Sequence, residues 1–260
     1  MTMFFLGLLF AVFIGAIVRG AARTNVGNTI GMKPRVIAFI ALAVLLGASV
    51  SGQSRTSFSG KTGLTIRSEP DRVVLQWSGS VASPMREKFA EAFAQFEDDP
   101  RQLVISLHSP GGSVQHGHEV IKEIRKLSRL RQVDTLVEGT NMCASMCVPI
   151  YLVGAERWAS PTARFMFHEA RLVLDANSER ALREYQRGAP YANSRDLIKA
   201  AEIEATDDLF GDDMGPRSID ARWLQNMRQK IKGRDVWLTG RQLTDQGSGV
   251  VDRLKQDMVK

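Results

Sequence analysis

The stretch EGTNMCASMCVPIYL, residues 138–152, places Cys143, Ser145 and Cys147 within five positions, where a strand gives way to a helix. Upstream, VDTLVEG (133–139) has the β-branched, apolar content of a strand ending at a glycine. Downstream, ASMCVPIYLVGA reads as the start of a buried helix, interrupted at Pro149. A side chain at this junction stands at the carboxyl end of a strand, where α/β sheets hold their ligands. In the first turn of a helix it also meets the positive end of the helix dipole. Ser145 fits that place, and the N–H of Met146 is the next donor along. Residues two apart on a helix point about 200° away from each other, so neither cysteine shares the direction of Ser145. As i and i+4 neighbours the cysteines can face each other, although a disulfide within one helix is strained and uncommon. They read as small buried apolar side chains beside Ser145, with a local disulfide open to them in an oxidising compartment.

Strands and helices alternate on both sides of this junction. RVVLQWSGSV (72–81) and QLVISLHS (102–109) read as strands. Between them SPMREKFAEAFAQFEDD reads as a helix, with Ser83 as N-cap, Pro84 as first residue, and Phe89, Phe93 and Phe96 at helical spacing. GSVQHGHEVIKEIRKL turns into a second helix with Val120, Ile124 and Leu127 on one face and Ile121 beside them. RFMFHEA (164–170) is a strand end. This order argues an α/β domain with right-handed crossovers. Residues 171–232 are polar and mostly helical in pattern, broken at GDDMGP (211–216), and the tail DVWLTGRQLTDQGSGVVDRL reads as strand, short helix, strand.

Two other strand ends carry residues suited to chemistry. SLHSPGGSV (106–114) sets Gly111 and Gly112 directly after a strand. Two glycines there allow a sharp turn and leave backbone N–H groups bare for a developing oxyanion. His168 lies 23 residues after Ser145, also at a strand end. A serine needs a base to lose its proton at neutral pH, and imidazole is the usual one. Position therefore selects Ser145 among the three nucleophiles. His108, His116 and His118 border the same region, but no third ligand at metal-binding spacing accompanies the HGH pair, so no metal and no cofactor is expected.

Taken together, SPGGSV, ASM and FMFHEA resemble the proteolytic subunit of the Clp protease, a member of the Clp/crotonase fold. The likeness covers about residues 72–170 and 233–252, including the tail GRDVWLTGRQLTDQG. It implies an α/β fold built as a repeated β-β-α spiral. It also implies a serine peptidase in which Ser145 attacks, His168 moves the proton, and Gly111, Gly112 and Met146 supply the oxyanion hole. Met166 falls on the methionine of the family's Met-x-His pattern. The family's orienting acid lies four residues before the aspartate of an Arg-Asp pair, and that position here is Ile231. Three outcomes are open. Asp220, Asn226 or Asp235 stands in; the site is a Ser-His dyad; or the chain is an inactive relative that binds peptides. The crotonase branch, acting on acyl-CoA thioesters, is a further alternative, against which the Ser-His pair argues. Residues 171–232 take the place of the family's handle without matching it residue by residue, so a homo-oligomer is possible but the stacked ring is not implied.

Charge and hydropathy bound the rest. The net charge of +6 is concentrated in residues 1–52, where Arg19, Arg23, Lys33 and Arg35 meet no acid; 30 basic and 28 acidic side chains remain beyond them. The body is near neutral and shows no basic stripe with interleaved aromatics, which argues against nucleic acid as a partner. FFLGLLFAVFIGAIV (4–18) and VIAFIALAVLLGASVSG (36–52) are uncharged runs on either side of a basic loop. Each is near the lower end of the roughly 17–25 residues that span a bilayer, and the positive-inside rule keeps the loop in the cytoplasm. Alternatively the segment from Met32 is a signal peptide. Either way the body is expected to be extracytoplasmic (periplasmic), membrane-associated if the hairpin at 1–52 is retained, after a linker at 53–70. An ATP-dependent unfoldase is then not an expected partner, because ATP is not expected there.

Overall fold

The computed structural model describes residues 49–50, 62–173, 179–180, 183, 194–213 and 219–255. The run at 4–18, the basic loop and the second run up to residue 48 lie outside these residues, and no described helix is long and apolar enough to cross a membrane. Ser49 and Val50 of the second run belong to the body: as β1 (Ser49–Val50) they pair antiparallel with β9 (Leu172–Val173).

A six-stranded sheet forms the base of the body. Its strands are β2 (Gly63–Ser68), β3 (Arg72–Ser78), β4 (Gln102–His108), β5 (Val133–Val137), β7 (Arg157–Ala159) and β11 (Arg253–Leu254), in the order β11-β7-β5-β4-β3-β2. All neighbours are parallel except β2, which runs antiparallel to β3. The central strands read as continuous apolar runs because both faces are covered. Val73, Leu75 and Trp77 of β3 join the main core, while Val74 packs with Val104, Leu136 and Trp158 on the opposite face.

The main core is closed by α1 (Met85–Phe96) and α2 (Val114–Leu127), which pack on each other, and by α3 (Cys147–Leu152) against α2. Phe89 stacks on Phe93 and tilts against Trp77. Burying each such side chain contributes on the order of 1.5–3 kcal/mol. Above the large sheet stands a three-stranded sheet of β6 (Met142–Ala144), β8 (Arg164–Phe167) and β10 (Val236–Thr239), ordered β10-β8-β6. The remaining elements are α4 (Ser194–Asp208), a π-helical turn (Leu209–Asp213), α5 (Ala221–Lys230) and α6 (Gly240–Asp245).

Several expectations are corrected. The expected linker at 53–70 contains strand β2, whose Cα register runs from Gly63 opposite Ser78 to Ser68 opposite Val73. It is an edge strand with a mostly exposed face, so it carries no apolar run to betray it. The first helix begins at Met85, with Pro84 rather than Ser83 at the cap. Pro149 does not interrupt α3: it is the third residue, where the missing N–H has no intrahelical partner to lose. Within the break expected at 211–216, the π-helical turn runs as far as Asp213, and residues 214–218 lie outside the described residues. Strands β6, β7 and β9 are two or three residues long, too short for a period of two to register.

Candidate active site

Ser145 occupies the tight turn between β6 and α3, two residues before the helix begins rather than inside its first turn. Its φ is 53°, the left-handed region that a non-glycine residue enters at a cost of about 1–2 kcal/mol. Three backbone bonds hold it there. The Ser145 N–H donates to the Met166 carbonyl at 2.9 Å, the Ala144 N–H to the Ser109 carbonyl at 3.0 Å, and the Val148 N–H to the Ser145 carbonyl at 2.9 Å. The turn is thereby tied to β8, to the end of β4 and to its own helix.

The same ladders deliver the histidine. Register pairs Ala144 with Met166, so the chain emerging from β8 brings His168 beside Ser145. His168 Nε2 lies 2.7 Å from Ser145 Oγ. The imidazole is 3% exposed, and burial pushes its pKa below the ordinary histidine value; nearby Arg171 adds to that, while Asp235 and Glu169 oppose it. Its other nitrogen, Nδ1, is buried without a hydrogen-bond partner among the described residues.

Of the substitutes for Ile231, the structure brings Asp235 to the site. Strand β10 pairs antiparallel with β8, with Val236 opposite Phe167, so the preceding Asp235 falls opposite His168. Its Oδ1 is 3.9 Å from His168 Nδ1, too far for a hydrogen bond, and accepts instead from Arg171 at 3.1 Å. Asp220 is spent elsewhere, capping α5 by accepting from the Trp223 N–H at 2.8 Å. Asn226 lines a surface pocket with Asp220 and Trp223. Ile231 itself is fully in the core, at the C-terminal cap of α5.

Gly111 and Gly112 turn directly beneath the serine. Gly111 has φ 90°, and a Cβ there would lie 2.6 Å from both the Ala144 carbonyl oxygen and Ser145 Cβ. A Cβ on Gly112 would run into the Val81 carbonyl oxygen. The loop is pinned by the Val81 N–H to the Gly111 carbonyl, the Ser113 N–H to the Val81 carbonyl, and the Gly111 N–H to Ser109 Oγ. The N–H groups of Gly112 and Met146 donate to no acceptor among the described residues.

The remaining histidines lie on β4 and α2. His108 Nδ1 accepts from the Met142 N–H at 3.1 Å, joining the end of β4 to the start of β6, and burial lowers its pKa. His116 and His118 lie in the first turns of α2, where Ser113 Oγ accepts from the His116 N–H. Among the described residues no group of three or more His, Cys, Asp or Glu side chains could hold a metal.

Sequence reasoning placed both cysteines around a helix and weighed a disulfide as strained. The structure joins Cys143 to Cys147, and the reason is local: Cys143 ends on strand β6 while Cys147 opens α3, so the bridge spans the serine turn rather than one helix. Arg171 also escaped notice, because its role follows from the β8–β10 register and not from any motif.

Residues 72–185 match the family model described as Clp protease. The match is to less than half of the chain. A solved structure of a ClpP1 point mutant from Listeria monocytogenes superposes with a TM-score of 0.50 at 17% identity, covering 71% of this chain and 92% of that one. The chain therefore shares that α/β fold. No curated protein matches it in sequence. The matched segment holds Gly111, Gly112, Ser145 and His168 and ends before Asp235.

Proposed function

We propose that this protein is an exported or membrane-anchored serine peptidase. Ser145 Oγ attacks the peptide carbonyl, His168 Nε2 takes its proton and returns it to the leaving amine, and the N–H groups of Gly112 and Met146 receive the oxyanion. Asp235 is the group that steadies the imidazolium. The carrying observation is the 2.7 Å contact between His168 Nε2 and Ser145 Oγ in a buried setting. Fluorophosphonate labelling of the full chain tests it: wild type is labelled at Ser145, and labelling that persists in Ser145→Ala removes the assignment.

A peptide-binding protein without turnover is the second reading, favoured by the unpartnered Nδ1 of His168 and by the Arg171–Asp235 pair. The pH profile separates the two. A base must be neutral, so activity falls as pH drops through the His168 pKa. Because burial lowers that pKa, the acid limb of kcat/KM is expected below the usual histidine value of about 6.5. Arg171→Gln removes a cation that disfavours the imidazolium and frees Asp235 to turn toward Nδ1. Both effects raise the pKa, so the limb moves to higher pH. Asp235→Asn is expected to cost kcat about 10- to 100-fold, short of the ~10⁴ that a hydrogen-bonded orienting acid supplies in the Ser-His-Asp template. A peptide binder shows neither response.

Export rests on the two uncharged N-terminal runs and the basic loop between them. The Cys143–Cys147 bridge supports it, since disulfides persist in oxidising compartments. A reporter fused to the C-terminus of the full chain is expected outside the cytoplasm; a cytoplasmic reporter overturns this part of the proposal.

A further inference from the structure

We infer that the Cys143–Cys147 disulfide is a positioning element for Ser145, and that thiol reduction lowers the activity of the site without unfolding the protein. The activity arm of this inference rests on the peptidase reading above; a structural arm does not.

The bridge joins residues four apart, and Ser145 is the middle residue of the loop it closes. Cross-links stabilise a fold mainly by restricting the unfolded chain, and that effect grows with loop length. A loop this short restricts the unfolded chain least, so the bridge acts chiefly on local geometry. What it constrains is the least relaxed backbone position in the body: Ser145 is the one non-glycine residue with positive φ among the described residues. Such a conformation persists when its surroundings over-determine it.

The anchors on either side are rigid. Cys143 is fully buried, sits opposite Phe165 in the β6–β8 ladder and bridges to Ser109 at the end of β4. Cys147 is fully buried and opens α3 against α2. The bridge therefore fixes the start of the helix relative to the small sheet. Ser145 Oγ and the Met146 N–H both lie on the segment it spans, so both lose their placement toward His168 and the Gly112 N–H when it opens.

Reduction by a dithiol such as dithiothreitol balances as a two-electron exchange. The Cys143–Cys147 S–S bond breaks, two protein thiols form, and the two thiols of the reagent lose two protons and two electrons to become its own disulfide.

The test uses the full chain. After incubation with dithiothreitol, with thiols counted in quenched, denatured aliquots, kcat and the rate of fluorophosphonate labelling are expected to fall about tenfold or more. KM and the far-ultraviolet dichroism are expected to hold, and reoxidation to restore the rate. Cys143→Ala/Cys147→Ala is expected to reproduce the reduced enzyme. Independently of turnover, the Ser145 amide, bonded to Met166, is expected to exchange its hydrogen at least tenfold faster in the reduced protein, while β4 amides do not change. Full labelling and unchanged exchange at Ser145 in the reduced protein and the double variant overturn the inference. A wild type that never labels but still shows the exchange response overturns the peptidase reading and leaves the positioning role standing.

Discussion

Ser145→Ala is expected to reduce kcat toward peptide substrates by about 10⁶-fold, with the folded state intact, by analogy with loss of the nucleophile in the Ser-His-Asp template. The change removes one oxygen from a site that is 9% exposed, so little packing is lost. It also relieves no strain, because alanine meets the same left-handed φ that serine does. Thermal unfolding should therefore stay within a few degrees of wild type while hydrolysis of a fluorogenic peptide disappears. His168 loses the hydroxyl at 2.7 Å in the same variant. Residual turnover within tenfold of wild type would point to a nucleophile other than Ser145.

Gly111→Ala is expected to act on the fold and the chemistry together. At φ 90° an alanine is strained by about 1–3 kcal/mol before any contact is counted. Its Cβ then meets the Ala144 carbonyl oxygen and Ser145 Cβ, both at 2.6 Å, and the Met146 nitrogen at 3.3 Å. Two of these are backbone atoms of the serine turn and cannot swing aside as a flexible side chain would. The loop must separate from the turn, which takes the Gly112 and Met146 N–H groups out of convergence. Loss of one oxyanion donor costs about 10²–10³ in kcat where it has been measured in the subtilisin template. A kcat loss of that order or more is expected, with a lowered Tm. An active Gly111→Ala enzyme would show that the loop does not face the reacting carbonyl.

The parts of this site that could be read from the sequence are those set by local rules. A serine between a strand and an apolar helix, a Gly-Gly turn after a strand and a histidine at a third strand end each announce themselves by residue type and spacing. The third partner does not. Ile231 holds the expected place because it closes the end of α5 with its side chain in the core, and Asp235 reaches His168 only through the antiparallel pairing of β10 with β8. That pairing joins segments about 70 residues apart, with no periodicity to signal it. The disulfide is open in the sequence but reads as strained, because i and i+4 on a helix is the geometry weighed, whereas three residues of strand precede the serine. Strand β2 was concealed by its polar, solvent-facing composition.

Ser145, His168 and Asp235 all stand at the ends of β6, β8 and β10, while the bulk of the apolar side chains belongs to the six-stranded sheet and its helices. The small ladder is three to four residues deep on each strand. Yet Cys143, Phe165 and Phe167 of that ladder are buried and belong to the main core. Loosening the ladder therefore opens the core with it, and the site and the fold are expected to melt in one transition, seen alike by a peptide substrate and by dichroism.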